Sequence, residues 1–63
     1  MAVGDRIKRG RQFRGLTQKE LGKLVGFDEK TADIRIAQYE SNTRKPKEEL
    51  LIKIADALEV NFR

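Results

Sequence analysis

The stretch GLTQKELG, residues 15–22, holds a helix stop, a helix start and a second small residue in quick succession. Gly15 is a C-terminal stop for whatever helix precedes it. Thr17 is a good N-cap, and Glu20 three places later completes the capping box T-x-x-E. Two helices therefore meet at one tight turn. The first turn of the new helix carries Gln18 and Lys19, although the helix dipole favours acidic groups there. That choice suits a helix start that faces an anion, because free N–H groups and added donors gather at that end.

On either side of this turn the apolar residues recur every three or four positions rather than alternately, which predicts four helices and no strands. The first spans about Asp5 to Arg14, with Val3, Ile7 and the Gly10/Arg11 positions on one face. Gly10 leaves a gap that Phe13 on the neighbouring flank can fill in part. The second follows Thr17, turns Leu21, Leu24 and Val25 inward, and ends at Gly26. The third contains ADIRIAQYE. Ala32, Ile36 and Tyr39 share its inner face, while Lys30, Ile34, Ala37, Gln38 and Ser41 lie opposite. Asn42 follows, a residue that tolerates the left-handed conformation closing a helix. Pro46 separates this helix from the fourth, about Glu48 to Leu58, whose inward residues are Leu51, Ile54, Ala55 and Leu58. Val60 and Phe62 are expected to fold back onto the core. The chain stops at Arg63, just where Asn61 can cap another helix, so a longer natural chain stays open, with this domain as its N-terminal part.

With 63 residues, the whole length 1–63 reads as one small domain. A core of this size supplies only roughly 3–5 kcal/mol of net stability. Cys and His are both absent, which removes disulfides, thiolate sites, imidazole metal sites and imidazole acid–base chemistry. No catalytic residue, metal site or cofactor is expected. Adjacent Glu48 and Glu49 start an exposed helix with no partner suited to catalysis. No apolar run reaches membrane-spanning length and no signal peptide is evident, so the expected location is cytoplasmic. The net charge of +4 is unevenly spread. Residues 1–24 carry Arg6, Lys8, Arg9, Arg11, Arg14, Lys19 and Lys23 against Asp5 and Glu20, a net +5, while residues 25–63 carry a net −1. One end of the domain is better matched to a polyanion; a solvated helix face is the plainer alternative.

Two short helices joined through glycine suggest a helix-turn-helix over residues 17–41. Gly22 allows close helix approach, and Gly26 gives the turn its permissive backbone. The string DRIKRGRQFRGLTQKELGKLVG followed by IAQYESNTRKPKEELLIKIADAL resembles the Cro/phage-repressor type of helix-turn-helix domain, also called the xenobiotic-response-element family. The resemblance spans about Val3 to Val60. Its most specific parts are GLTQ-x-EL, the Tyr39-Glu40 pair and Arg44-Lys45-Pro46.

This resemblance implies an all-α, compact four- to five-helix, lambda-repressor-like fold that binds double-stranded DNA, usually as a homodimer, although no dimer interface is obvious in the sequence. It places the third helix in the major groove and the start of the second on a phosphate. Counting back from Glu40, the base-reading residues are Asp33, Ile34 and Gln38. Gln38 can pair bidentately with adenine, Asp33 can accept from cytosine, and Ile34 can touch a thymine methyl. The phosphate contacts are Thr17, Gln18 and Lys19 on the second helix, then Arg35, Ser41, Thr43, Arg44 and Lys45. Arg11 and Glu40 form a structural ion pair that locks the first helix to the third. Plainer readings stand beside these: a solvent-facing Gln18 or Gln38, an Asp33 that caps or pairs with Arg35, an Ile34 packed on a neighbour, and a solvated loop at Arg44 and Lys45.

Three departures from the family pattern matter. Ile36 lies ten residues after Gly26, where six is usual, so four residues are added within FDEKTADI. Four residues approximate the 3.6 of a helical turn. The favoured reading is an added N-terminal turn on the third helix, capped by Asp28 with Phe27 and Ala32 as a staple; the alternative is a looped turn with Thr31 as the cap. Asp28, Glu29 and Asp33 bring negative charge towards the DNA side. Asn42 stands where Gly is usual, and Lys47 where Ser or Thr usually caps the fourth helix.

The expected function is sequence-specific DNA binding by a transcriptional regulator. The alternative is a protein-interaction or antitoxin-type module on the same scaffold, with weak or secondary DNA binding, which the acidic insertion favours. An enzyme is not expected, and no small-molecule substrate is evident.

Overall fold

A computed structural model of the chain describes residues 3–59, which form four helices and, among the described residues, no strand. These are α1 (Val3–Phe13), α2 (Gln18–Leu24), α3 (Ala32–Glu40) and α4 (Glu48–Leu58). Helix α1 begins two residues before the expected Asp5, and α4 has the expected bounds. The folding back of Val60 and Phe62, and any fifth helix, lie outside the described residues.

The turns are closed by the chemistry that the sequence supplies. After α1, the Gly15 N–H donates to the Gln12 carbonyl (3.0 Å) and the Leu16 N–H to the Arg11 carbonyl (3.0 Å). After α2, the Gly26 and Phe27 N–H groups reach back in the same way to Lys23 and Gly22 (3.1 and 2.9 Å). Both pairs are Schellman closures, and Gly26 at φ 95° has the left-handed backbone they need. Asn42 serves after α3 at φ 64°, as expected. Its side-chain oxygen also accepts from the Gly4 N–H (3.2 Å), which ties the start of α1 to the end of α3.

Each helix contributes to one core: Ile7 from α1, Leu21 from α2, Ile36 and Tyr39 from α3, Ile54 and Leu58 from α4, with Val25 at the end of α2. Ala32 is also fully buried, so the inner face of α3 is the one expected. Two assignments are corrected. Leu24 is 60% exposed, because the buried face of α2 runs through Leu21, Gly22 and Val25, one step away around the helix. Phe13 is 83% exposed, and the space beside Gly10 is taken by Leu58 instead. Leu51 and Ala55 are only half-buried, since the inner line of α4 is set by Ile54 and Leu58, four apart.

The crossing of α2 with α3 is the most extensive helix contact. It depends on Gly22: a Cβ there would lie 2.5 Å from Ala32 Cβ and 2.8 Å from the Ala32 carbonyl oxygen. The turn between them differs from the favoured expectation. The four added residues do not extend α3. They form a separate turn in which the Thr31 N–H donates to the Asp28 carbonyl (3.0 Å) and the Lys30 N–H to Asp28 Oδ1 (3.1 Å). Asp28 therefore spends its carboxylate on its own turn, as an Asx turn does, and cannot cap a helix. Thr31 occupies the N-cap position without a side-chain cap bond. Phe27 packs on the far side of α3 rather than stapling an added turn: its ring stacks on Tyr39 (centroids 6.3 Å apart) and carries the Arg35 guanidinium at 4.1 Å.

Arg11 and Glu40 form the expected ion pair. Arg11 Nε donates to Glu40 Oε2 (2.6 Å) and Nη2 to Oε1 (3.3 Å), while Nη1 donates to the Leu16 carbonyl (2.8 Å). Their side chains retain 13% and 5% exposure, so the pair is largely out of water. Arg14 holds the other end of α1 to α4, through the Leu58 carbonyl (2.8 Å) and Glu59 (2.8 Å).

Two substitutions test this frame. Gly22→Ala gains about 1 kcal/mol of helix propensity but meets Ala32 backbone that cannot swing aside, an overpacking cost of roughly 1–3 kcal/mol. A lower Tm in thermal unfolding is expected, and an unchanged or higher one would contradict the close crossing. Glu40→Ala leaves Arg11 with its charge uncompensated, a loss of about 3 kcal/mol. It should bring the domain close to unfolding at ambient temperature, read by circular dichroism; an unchanged Tm would remove the pair from the stabilising frame.

Candidate nucleic-acid interface

Three segments named from the sequence come to one side of the fold: the start of α2, the outer face of α3 and the loop after it. At α2 the capping box is complete. Thr17 Oγ1 accepts from the Glu20 N–H (3.0 Å) and Glu20 Oε1 accepts from the Thr17 N–H (2.9 Å). The Thr17 backbone N–H first, then the Thr17 hydroxyl beside the carboxylate, hold the Glu20 carboxyl below its ordinary value, with the Lys23 charge adding to them. The exposed carboxylate stays ionised, and its charge sits on the α2 dipole rather than on an incoming anion.

Gln18 is not a free solvent-facing side chain. Its Nε2 donates to Glu40 Oε1 (3.2 Å), so a half-buried amide is fixed against the same carboxylate that holds Arg11. An amide nitrogen has two hydrogens, and the second remains for an outside acceptor. Lys19 has a different neighbour from the one expected. Its Nζ lies 3.4 Å from Glu29 Oε1, in the added turn, with both side chains more than half exposed. Such a pair holds only weakly and is easily exchanged for another anion.

On α3, Asp33 is exposed and Ile34 is 55% exposed, whereas Gln38 is half-buried. With Ile36 and Tyr39 sealed inside, the helix has the rotation that the base-reading assignment requires. Asp33 and Arg35 are not paired among the described residues, because Arg35 turns to the Phe27 ring instead. The loop after α3 is wound back on the helix end. Ser41 Oγ donates to the Gln38 carbonyl (3.2 Å), the Arg44 N–H donates to the same oxygen (3.1 Å), and the Ser41 and Thr43 hydroxyls lie 2.8 Å apart. Arg44 and Lys45 leave this braced loop into solvent.

Two cations that the sequence did not assign to the site also line it. Lys47 and Lys53 line a groove with Arg35, Arg44 and Lys45. Lys53 is four residues after Glu49 on α4, a spacing that was visible. The face of α4 that lines this groove was not, because both Leu50 and Leu51 suit an inner position.

Comparison with known proteins agrees with this geometry. The helix-turn-helix family model matches residues 7–63. Endothelial differentiation-related factor 1 of Rattus norvegicus and of Mus musculus are each 38% identical over 63 residues, all of this chain but 40% of their own length. The chain thus spans about two fifths of these curated relatives. The crystal structure of the transcriptional regulator BswR superposes with a TM-score of 0.92 at 39% identity, covering 97% of this chain and 59% of that one. No helix among the described residues is long and apolar enough to cross a membrane. With four helices, a glycine turn between α2 and α3 and a family match over most of its length, the chain belongs to the helix-turn-helix family, in the Cro/phage-repressor type of DNA-binding domain.

Proposed function

We propose that this domain is the sequence-specific DNA-binding part of a transcriptional regulator and reads the major groove with α3. The observation that carries the reading is the outward turn of Asp33, Ile34 and Gln38 beside the start of α2 and the braced 41–45 loop. In this reading Gln38 pairs with adenine, Asp33 accepts from a cytosine amine and Ile34 meets a thymine methyl. The amides at the start of α2, with Thr17, the spare hydrogen of Gln18 and Lys19, grip one phosphate. Ser41, Thr43, Arg44 and Lys45 grip another, and Arg35 supports them from the groove side. A homodimer would read two half-sites about one helical turn apart. The reading assigns the domain no chemistry, and a cytoplasmic location goes with it.

A second reading, a protein-interaction or antitoxin-type module, draws support from the added turn. Glu29 sits on Lys19, one of the phosphate ligands, and Asp28 and Asp33 add charge of the wrong sign for DNA. Retention on heparin or non-specific duplex across a salt series separates the two. DNA binding predicts elution governed by ionic strength, and the interaction module predicts little retention even at low salt.

Selection of binding sites from random duplexes tests base reading directly. A defined half-site should emerge, and Gln38→Ala should cost about 1–3 kcal/mol at one base position while the fold melts normally. Selection that yields no preferred sequence, or a Gln38→Ala variant with the parent's preference, would count against α3 as the reader.

A further inference from the structure

We propose that Glu29, in the turn added between α2 and α3, is an internal competitor for the DNA phosphate assigned to Lys19, and so sets how tightly the domain holds any duplex. This role rests on the DNA-binding reading above and adds to it a residue that works against binding.

Three consecutive residues assigned to one phosphate each face a carboxylate of the chain itself. The Thr17 N–H donates to Glu20 Oε1 (2.9 Å), Gln18 Nε2 donates to Glu40 Oε1 (3.2 Å), and Lys19 Nζ lies 3.4 Å from Glu29 Oε1. The three carboxylates are not equivalent. Glu20 completes the capping box with Thr17, and Glu40 is the partner of Arg11, with only 5% of its side chain exposed. Neither can leave without loosening the fold. The Glu29 side chain is 64% exposed and that of Lys19 51%, so this contact alone of the three can open into water at little cost.

The backbone that carries Glu29 is held on both sides. Asp28 accepts from the Lys30 and Thr31 N–H groups (3.1 and 3.0 Å), and the Phe27 ring stacks on Tyr39. The carboxylate is therefore returned to the same place beside Lys19 each time it swings out, as a tethered anion at high effective concentration. A phosphate arriving at Lys19 must displace it. The released charge then stands close to the phosphodiester chain and repels it. Both effects weaken binding on every sequence alike, because backbone contacts carry no base information. Salt screens an exposed pair, so the penalty is largest at low ionic strength.

A double-mutant cycle isolates the contact. The parent, Glu29→Gln, Lys19→Ala and Lys19→Ala/Glu29→Gln chains, each confirmed as folded by its melting curve, are titrated with a mixed-sequence duplex and with the selected one across a salt series. Glu29→Gln should tighten binding to both duplexes roughly two- to fivefold at low salt, and the difference should shrink as salt rises. In the Lys19→Ala background the same substitution should change affinity little. Base preference should stay as in the parent. Tightening of equal size with and without Lys19 would mean that Glu29 acts only through its charge, and overturns the proposal. No tightening with Lys19 present, or tightening confined to one sequence, overturns it as well. If none of the four chains binds duplex, the DNA reading fails and the competitor with it, an outcome distinct from a failed cycle in chains that do bind.

Discussion

The carboxylate of Glu40 is where three helices meet. It sits at the end of α3, takes two donors from Arg11 on α1 and one from Gln18 on α2, and keeps only 5% of its side-chain surface in contact with water. Removing a charge that far from solvent is costly, and Arg11 alone offsets it through a bidentate fork that also reaches the Leu16 carbonyl in the turn before α2. The consequence is geometric as well as energetic. The position of the α2 start relative to α3 is set by one buried network, and both are the parts of the fold proposed above to touch a nucleic acid.

Much of this was legible before any coordinates. The capping box at Thr17, the inner face Ala32–Ile36–Tyr39, the left-handed Asn42 and the bounds of α4 each follow from local rules, and local rules decide them because the relevant partners lie within a few residues. The Arg11–Glu40 pair came from family resemblance, since 29 residues separate its members and no spacing rule links them. Leu24 and Phe13 were misplaced for a related reason. On helices as short as α2, with 7 residues, two neighbouring faces are almost equally apolar, and the choice between them belongs to the other helices. The candidate site follows the same division: the outward face of α3 could be read from periodicity, while the bond from Gln18 to Glu40 depended on how α2 crosses α3, and the placing of Lys47 and Lys53 on where α4 lies in the packed fold.

The added residues 28–31 illustrate how a local preference can override a periodic argument. Counting by turns made a longer α3 reasonable, yet Asp28 closes on Lys30, two residues ahead, and Phe27 is captured between Tyr39 and Arg35. With both ends of the insertion engaged, the extra length becomes a loop that carries Glu29 to Lys19. An acidic loop on a basic helix start makes the surface responsive to competing anions, because an exposed pair of this kind exchanges partners at little cost.

Gly22 has a further implication, for redesign. Because its α-carbon rests directly on Ala32, with no side chain between to act as a bearing, α2 and α3 have no room to pivot and behave as one solid piece. If α3 reads bases as proposed, swapping the outward residues at 33, 34 and 38 should therefore alter which bases are preferred without changing how the piece is presented. That makes the pair a natural cassette for transplanting new specificities.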